Sequence, residues 1–150
     1  MSLLVVQHQQ TCPPGRVGTW LAEAGVELDV RRPYAGDALP ADLSGHDGLL
    51  VLGGEMNCRD DEVAPWLPAV RELIRTAAQG ATPTLGICLG HQLASVALGG
   101  EVEVNPRGRT IGVLTVDGAP GLTDDPVLAA AAGGPVGAAG PGGPVGRSGG

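Results

Sequence analysis

The pentapeptide Gly86-Ile87-Cys88-Leu89-Gly90 places one thiol midway between two glycines. Residues 84–87 before it form a short apolar run, and residues 89–98 after it read as a helix. The cysteine therefore falls at a sharp strand-to-helix turn. Such a turn holds its central residue in a strained backbone conformation, and small residues on either side let strand and helix approach. The turn lifts the sulfur above the sheet and sets it at a helix N-terminus, whose partial positive charge favours the thiolate. Thiolate is the nucleophilic species. The amide N–H of the next residue, Leu89, is then placed to help hold an oxyanion. A glycine pair, Gly53-Gly54, ends another apolar run at 47–52. With no side chain to block a substrate, its N–H groups are suited to the second half of an oxyanion hole.

The other reactive side chains read more plainly. Cys12, before Pro13-Pro14, and Cys58 are expected to be free loop thiols. The cysteines are not in ligand pairs, which disfavours zinc, and no metal site is expected. Asp60-Asp61-Glu62 reads as an acidic loop ahead of a helix. Arg31-Arg32, Arg107 and Arg109 read as surface charge.

The elements that must position Cys88 alternate in type. Strands are expected at 3–7, 26–30, 47–52 and 84–87, with helices at 17–24, 66–79 and 89–98. Of these the helix at 66–79 has the clearest signal. Trp66, Val70, Leu73 and Ala77 recur at spacings of three and four, with Leu67 and Ile74 beside them and Arg71, Glu72 and Arg75 on the other face. Gly25, Gly80 and Gly99 close the helices. Residues 101–105 and 110–116 are candidate strands, forming a hairpin around Arg107-Gly108, and Asp124-Asp125-Pro126 reads as the start of a further helix to about 132. Alternating strands and helices imply an α/β fold with a mainly parallel sheet. Ligands in such sheets bind at the carboxyl ends of the strands, where Gly53-Gly54 and Cys88 both fall.

Composition narrows the function further. The chain has 150 residues and a formal net charge of −7, and all nine of its basic residues are arginine. An acidic chain with no basic patch is a poor nucleic-acid binder. No apolar run is long enough for a transmembrane helix. With no signal-peptide pattern and an odd number of cysteines, the expected location is the cytoplasm, without membrane association. Residues 133–150 contain nine glycines and three prolines, which reads as a disordered tail after a domain spanning 1–132.

The nonapeptide Leu85-Gly86-Ile87-Cys88-Leu89-Gly90-His91-Gln92-Leu93 resembles the nucleophile motif of class I glutamine amidotransferases. Val51-Leu52-Gly53-Gly54-Glu55-Met56, with Asp60-Asp61 and Pro65-Trp66-Leu67 beyond it, is similar to the oxyanion-loop region of the branch containing the amidotransferase domain of GMP synthase. Gly99-Gly100-Glu101-Val102 continues the likeness, which runs in order over about residues 3–128. It implies a flavodoxin-like α/β fold with helices on both faces. It also implies hydrolysis of the glutamine side-chain amide through a γ-glutamyl thioester, with ammonia passed to a synthase partner and no cofactor. On this resemblance Cys88 is the nucleophile, Gly54 and Leu89 give oxyanion N–H groups, and Gly53, Gly54 and Gln92 bind the substrate. His91 reads as a polar residue on the first turn of its helix.

The same resemblance calls for a histidine base in a later His-Pro-Glu segment, oriented by the glutamate. The sequence has only His8, His46 and His91, and no glutamate follows Glu103. Losing a general base costs about 10²–10⁴ in rate, so impaired catalysis is expected. A C-terminally truncated or frame-shifted domain, incomplete in its sheet, is the corresponding expectation, and a GC-rich coding sequence read out of frame would give such a glycine- and proline-rich tail. Two other functions fit the turn: a γ-glutamyl hydrolase, which uses the same elbow, and a non-catalytic protein that binds glutamine or a partner.

Overall fold

A computed structural model describes residues 1–106, 108, 121–124 and 129. The chain divides after Pro106 into two units, Met1–Pro106 and Arg107–Gly150. In the second unit the described element is one short 3-10 turn, Leu122–Asp124. The strand expected at 110–116, the helix expected from Asp124 beyond that turn and the tail 133–150 lie outside the described residues.

The first unit is built on four strands, β1 (Ser2–Val6), β2 (Glu27–Arg31), β3 (Gly48–Val51) and β4 (Thr84–Gly86). All pair in parallel, in the order β2-β1-β3-β4. Val5 lies opposite Val30 on one side and Leu50 on the other, and Val51 lies opposite Gly86. Three helices accompany them: α1 (Gly15–Glu23) between β1 and β2, α2 (Leu67–Gln79) between β3 and β4, and α3 (Leu89–Ala97) after β4. A 3-10 turn, Pro33–Ala35, follows β2. This strand order is that of a flavodoxin-like fold, and the chain switches sides between β1 and β3.

Side-chain alternation along the strands sorts the core into two layers. Leu4, Val6, Leu49 and Val51 face α2 and α3 and pack with Leu67, Val70, Leu73, Ile74, Leu89 and Leu93. Val5, Leu50 and Leu52 face α1 and pack with Val17, Leu21, Leu28 and Ile87. β3 is buried along its whole length, covered on both faces as parallel strands usually are. The expected stripe on α2 is the one that is buried: Leu67, Val70, Leu73, Ile74 and Ala77. Each fully buried aliphatic side chain is worth roughly 1.5–3 kcal/mol over its exposed state.

The helix ends follow local chemistry. Gly25 and Gly99 take the left-handed conformation after α1 and α3, with φ of 77° and 89°. After α2 the left-handed residue is Ala81 rather than Gly80.

One expected strand does not form. Residues 101–105 alternate charged and apolar side chains, yet they have no strand conformation. Only Val102 packs against the core, and Val104 is 83 % exposed. An alternating pattern specifies a face, but a strand also needs a ladder partner for its N–H and C=O groups, and among the described residues this segment pairs with no strand.

Leu50 is 2 % exposed in the thinner, α1-side layer. Leu50→Ala is expected to cost about 2–5 kcal/mol, whereas Gln79→Ala on the exposed end of α2 should change stability by less than about 0.5 kcal/mol. Urea unfolding of the two variants checks both values.

Candidate functional site

The turn between β4 and α3 has the backbone that its glycines anticipate. Cys88 sits at φ 54°, ψ −107°, one of two described non-glycine residues with positive φ. Such a conformation costs about 1–3 kcal/mol and persists only where its surroundings enforce it. The enforcement is visible on both sides. A Cβ on Gly86 would lie 2.6 Å from the carbonyl carbon and oxygen of Gly90, and one on Gly90 would lie 2.1 Å from the carbonyl oxygen of Val51. The Ile87 N–H donates to that same Val51 oxygen at 2.9 Å, the Gly90 N–H donates to Ile87 O at 2.9 Å, and the Gln92 N–H donates to Cys88 O at 3.1 Å. Helix α3 thus starts directly against the backbone of β3, and Cys88 is left exposed at its head.

Gly53 and Gly54 follow β3 on the same side of the sheet. A Cβ on Gly53 would come 3.6 Å from Cys88 Cβ, so the glycine loop and the thiol are neighbours. Gly54 is more tightly enclosed: a Cβ there would meet Met56 Sδ at 2.6 Å, Leu89 Cδ2 at 2.9 Å and His8 Cβ at 3.2 Å. The Gly54 N–H has no backbone acceptor among the described residues. The Leu89 N–H opens α3, where the first amides of a helix have no intrahelical partner. The two amides expected to face an oxyanion are therefore uncommitted.

Beneath this loop lies His8, fully buried just beyond β1. Its Nδ1 accepts a hydrogen bond from Trp66 Nε1 at 3.0 Å, and among the described residues its Nε2 has no partner. Burial pushes the imidazole down to about 4. The indole N–H reinforces this, because it can only donate and so needs an unprotonated nitrogen opposite it.

A cleft of about 610 Å³ opens at the strand ends, lined by Cys88, by Gly53, Gly54 and Glu55 after β3, and by Gln9, Cys12 and Arg16 after β1. Pro13, Pro14, Val17, Leu52 and Ile87 supply its apolar wall. Cys88, Gly53 and Gly54 are thus brought together as expected. Leu89 lies buried directly behind them. Gln92, one turn along α3, is half-buried and is not on the cleft wall. None of the histidines is on that wall either. His46 Nε2 is instead 3.0 Å from Asp29 Oδ2, and His91 is exposed on α3.

Cys12 is a cleft residue, a role its sequence context did not suggest. Cys58 is buried, 1 % exposed. The acidic loop is tied rather than merely solvated. Arg71 donates to both oxygens of Asp61, at 2.9 and 2.6 Å, and to Cys58 O at 2.8 Å, while Asp60 Oδ2 accepts from the Asn57 N–H at 2.7 Å. The Arg71 guanidinium holds the Asp61 carboxyl below the usual range. Arg31 is likewise paired, donating to both oxygens of Asp29 at 2.8 and 2.9 Å. Among the described residues no group of His, Cys, Asp and Glu is arranged to hold a metal ion, and no helix is long and apolar enough to cross a membrane. Sequence reasoning missed His8, Gln9, Arg16 and the Trp66 contact. The position of His8 and Gln9 immediately after the first strand was the available signal.

A parallel sheet in this order, with a glycine-flanked cysteine at one strand end and a glycine pair at the next, defines the class of protein. The family model for class I glutamine amidotransferases matches residues 18–125, and the chain belongs to that family. It is similar to the putative glutamine amidotransferase-like protein YfeJ of Salmonella typhimurium, 34 % identical over 110 residues that cover 71 % of this chain and 46 % of the relative. It is also similar to anthranilate synthase component 2 of Azospirillum brasilense, 37 % identical over 58 % of this chain and 41 % of the relative. Among solved structures, a glutamine amidotransferase from Methylobacillus flagellatus aligns with a TM-score of 0.66 at 37 % identity, over 70 % of this chain and 41 % of that one. One from Thermotoga maritima aligns with a TM-score of 0.61 at 27 % identity, over 66 % of this chain and 43 % of that one. The chain spans less than half the length of each of these relatives.

His8 gives a pH dependence that checks the buried imidazole. Its folded value, about 4, lies below the ordinary 6.5, so between these pH values the unfolded chain binds the extra proton. Stability conferred by neutral His8 is present above pH 6.5 and is lost as pH falls towards 4, by up to about 3 kcal/mol. Denaturant unfolding across that window should show this loss in the wild type and a flatter profile in His8→Gln.

Proposed function

We propose that this chain carries the nucleophilic half of a glutamine amidotransferase site, with Cys88 attacking the side-chain amide of glutamine. The observation that carries the reading is the backbone at Cys88: a strained elbow, enforced by Gly86 and Gly90, that projects a thiol beside two uncommitted amides. In this reading the Cys88 sulfur adds to the amide carbon of glutamine. The amide N–H groups of Gly54 and Leu89 take the negative charge that develops on oxygen. Collapse expels ammonia and leaves a γ-glutamyl thioester, which water cleaves to glutamate. Gly53 gives the substrate room against the thiol, and Gln92 contributes to glutamine binding. The ammonia passes to a synthase partner, as the likeness to a synthase component suggests.

The thiol proton must leave as the carbon–sulfur bond forms and return to the departing nitrogen. Neither half of the expected His-Glu pair lies on the described cleft wall, whose ionisable side chains are Cys12, Arg16, Glu55 and Cys88. Binding and thiol attack are therefore expected of this chain, with turnover slow.

A diazoketone analogue of glutamine separates these steps, because it alkylates the nucleophile once, releasing dinitrogen, and needs no turnover. Peptide mapping should find the label on Cys88 and not on Cys12 or Cys58, and Cys88→Ala should abolish it. Ammonia release from glutamine should run about 10²–10⁴ below that of a relative carrying the His-Glu pair. Absence of labelling, or labelling that excess glutamine does not protect against, overturns the reading.

A further inference from the structure

Among the described residues, the Gln9 side chain bonds both to the loop after β1 and to the loop after β3. It lies past the end of β1, half-buried, and its Oε1 accepts the Glu55 N–H at 2.9 Å. Glu55 is the residue after Gly54, and its N–H belongs to the peptide unit whose carbonyl is that of Gly54. The orientation of the Gln9 amide follows from this contact, since only its oxygen can accept from an N–H. Its nitrogen then points the other way and donates to Thr11 Oγ1 at 2.6 Å and to Cys12 Sγ at 3.4 Å. The main chain of Gln9 is held in turn: Gln7, a buried side chain, donates from Nε2 to Gln9 O at 2.8 Å.

We infer that Gln9 is a positioning residue for the oxyanion hole, acting through the Glu55 N–H on the direction of the Gly54 amide. Resting on the proposed glutamine reaction, this assigns to the loop after β1 a part in the chemistry. A glycine loop has no side chains of its own to fix its peptide planes. Met56, Leu89 and His8 enclose Gly54 in its side-chain direction, and rotation of the peptide that follows it is a separate freedom. The Gln9 oxygen stops it by engaging one amide, so that the neighbouring Gly54 amide stays uncommitted and turned to the cleft. A donor aimed in advance at developing charge is worth more than one that must reorganise. Gln9 touches neither the thiol nor the reacting amide in this scheme; it acts through the loop.

The test compares Gln9→Met, which keeps length and loses the acceptor, with Gln9→Glu, which keeps an acceptor for the Glu55 N–H. Amide hydrogen exchange reads the tether without any chemistry. In the wild type the Glu55 amide should exchange more slowly than the Gly54 amide. In Gln9→Met it should exchange about tenfold faster, with Leu50 in the sheet unchanged, and Gln9→Glu should restore the slow rate. Alkylation of Cys88 then reads the consequence. Labelling by the diazoketone analogue of glutamine should slow by about tenfold in Gln9→Met, while labelling by iodoacetamide, which needs no oxyanion hole, should keep its rate. Equal exchange at Glu55 and Gly54 in the wild type overturns the tether, whether or not the variants fold. Loss of both labelling rates in proportion, or of neither, overturns the positioning role. A wild-type chain that the diazoketone fails to label refutes the glutamine reading itself, and the positioning role with it, while the exchange comparison still judges the tether separately.

Discussion

Gly90 has no side chain because the carbonyl of Val51 already occupies that space. Helix α3 can start where it does only through this contact, and much of the site follows from it. With the first turn of α3 laid against β3, the chain leaving β4 has two residues, Ile87 and Cys88, in which to reverse its direction, and Cys88 takes the positive φ that this demands. The same approach brings Leu89 under the loop that follows β3, so the two glycine-bearing segments share a wall. The stability of the two packed layers is what maintains the strain at Cys88, since a conformation costing a few kcal/mol must be offset by surrounding contacts.

The loop after β3 is held from several sides. From below, the buried imidazole of His8 and the half-buried indole of Trp66 make a polar pair inside an otherwise apolar layer. Burying such a pair is tolerable because the shared hydrogen bond satisfies one nitrogen of the ring and the indole N–H. Further along, Asp61 is clamped by Arg71 of α2, whose Nη1 also reaches Cys58 O. The segment from Gly53 to Asp61 is thereby fastened at its start through β3, near its middle through Cys58 and at its end through α2. A loop fixed in this way meets a ligand with its ordering entropy already spent.

What could be read from the sequence was local. The stripe on α2 repeats within a single helix, and the glycines around Cys88 stand two residues from it, so a short window contains the whole signal. The left-handed glycines after α1 and α3 are equally local. The contacts missed were those between distant residues. His8 and Trp66 are 58 residues apart and Gln9 and Glu55 are 46 apart, and no short-range periodicity encodes such a meeting. Only the parallel topology, which gathers all strand ends at one edge, places them together. The segment 101–105 misled for the opposite reason. Its alternation is a good local pattern, but a strand is completed by a partner that the pattern does not supply.

The chain has two tryptophans, and the fold puts them in different surroundings. Trp20 on α1 is 60 % exposed, whereas Trp66 is half-buried with its N–H bound to His8 beneath Gly54. The two indoles therefore emit from dissimilar solvents, one aqueous and one inside the protein. Any movement of the glycine loop that disturbs the His8 contact changes the colour and yield of Trp66 alone. The molecule carries a native optical gauge of its own site, with Trp20 as the built-in reference.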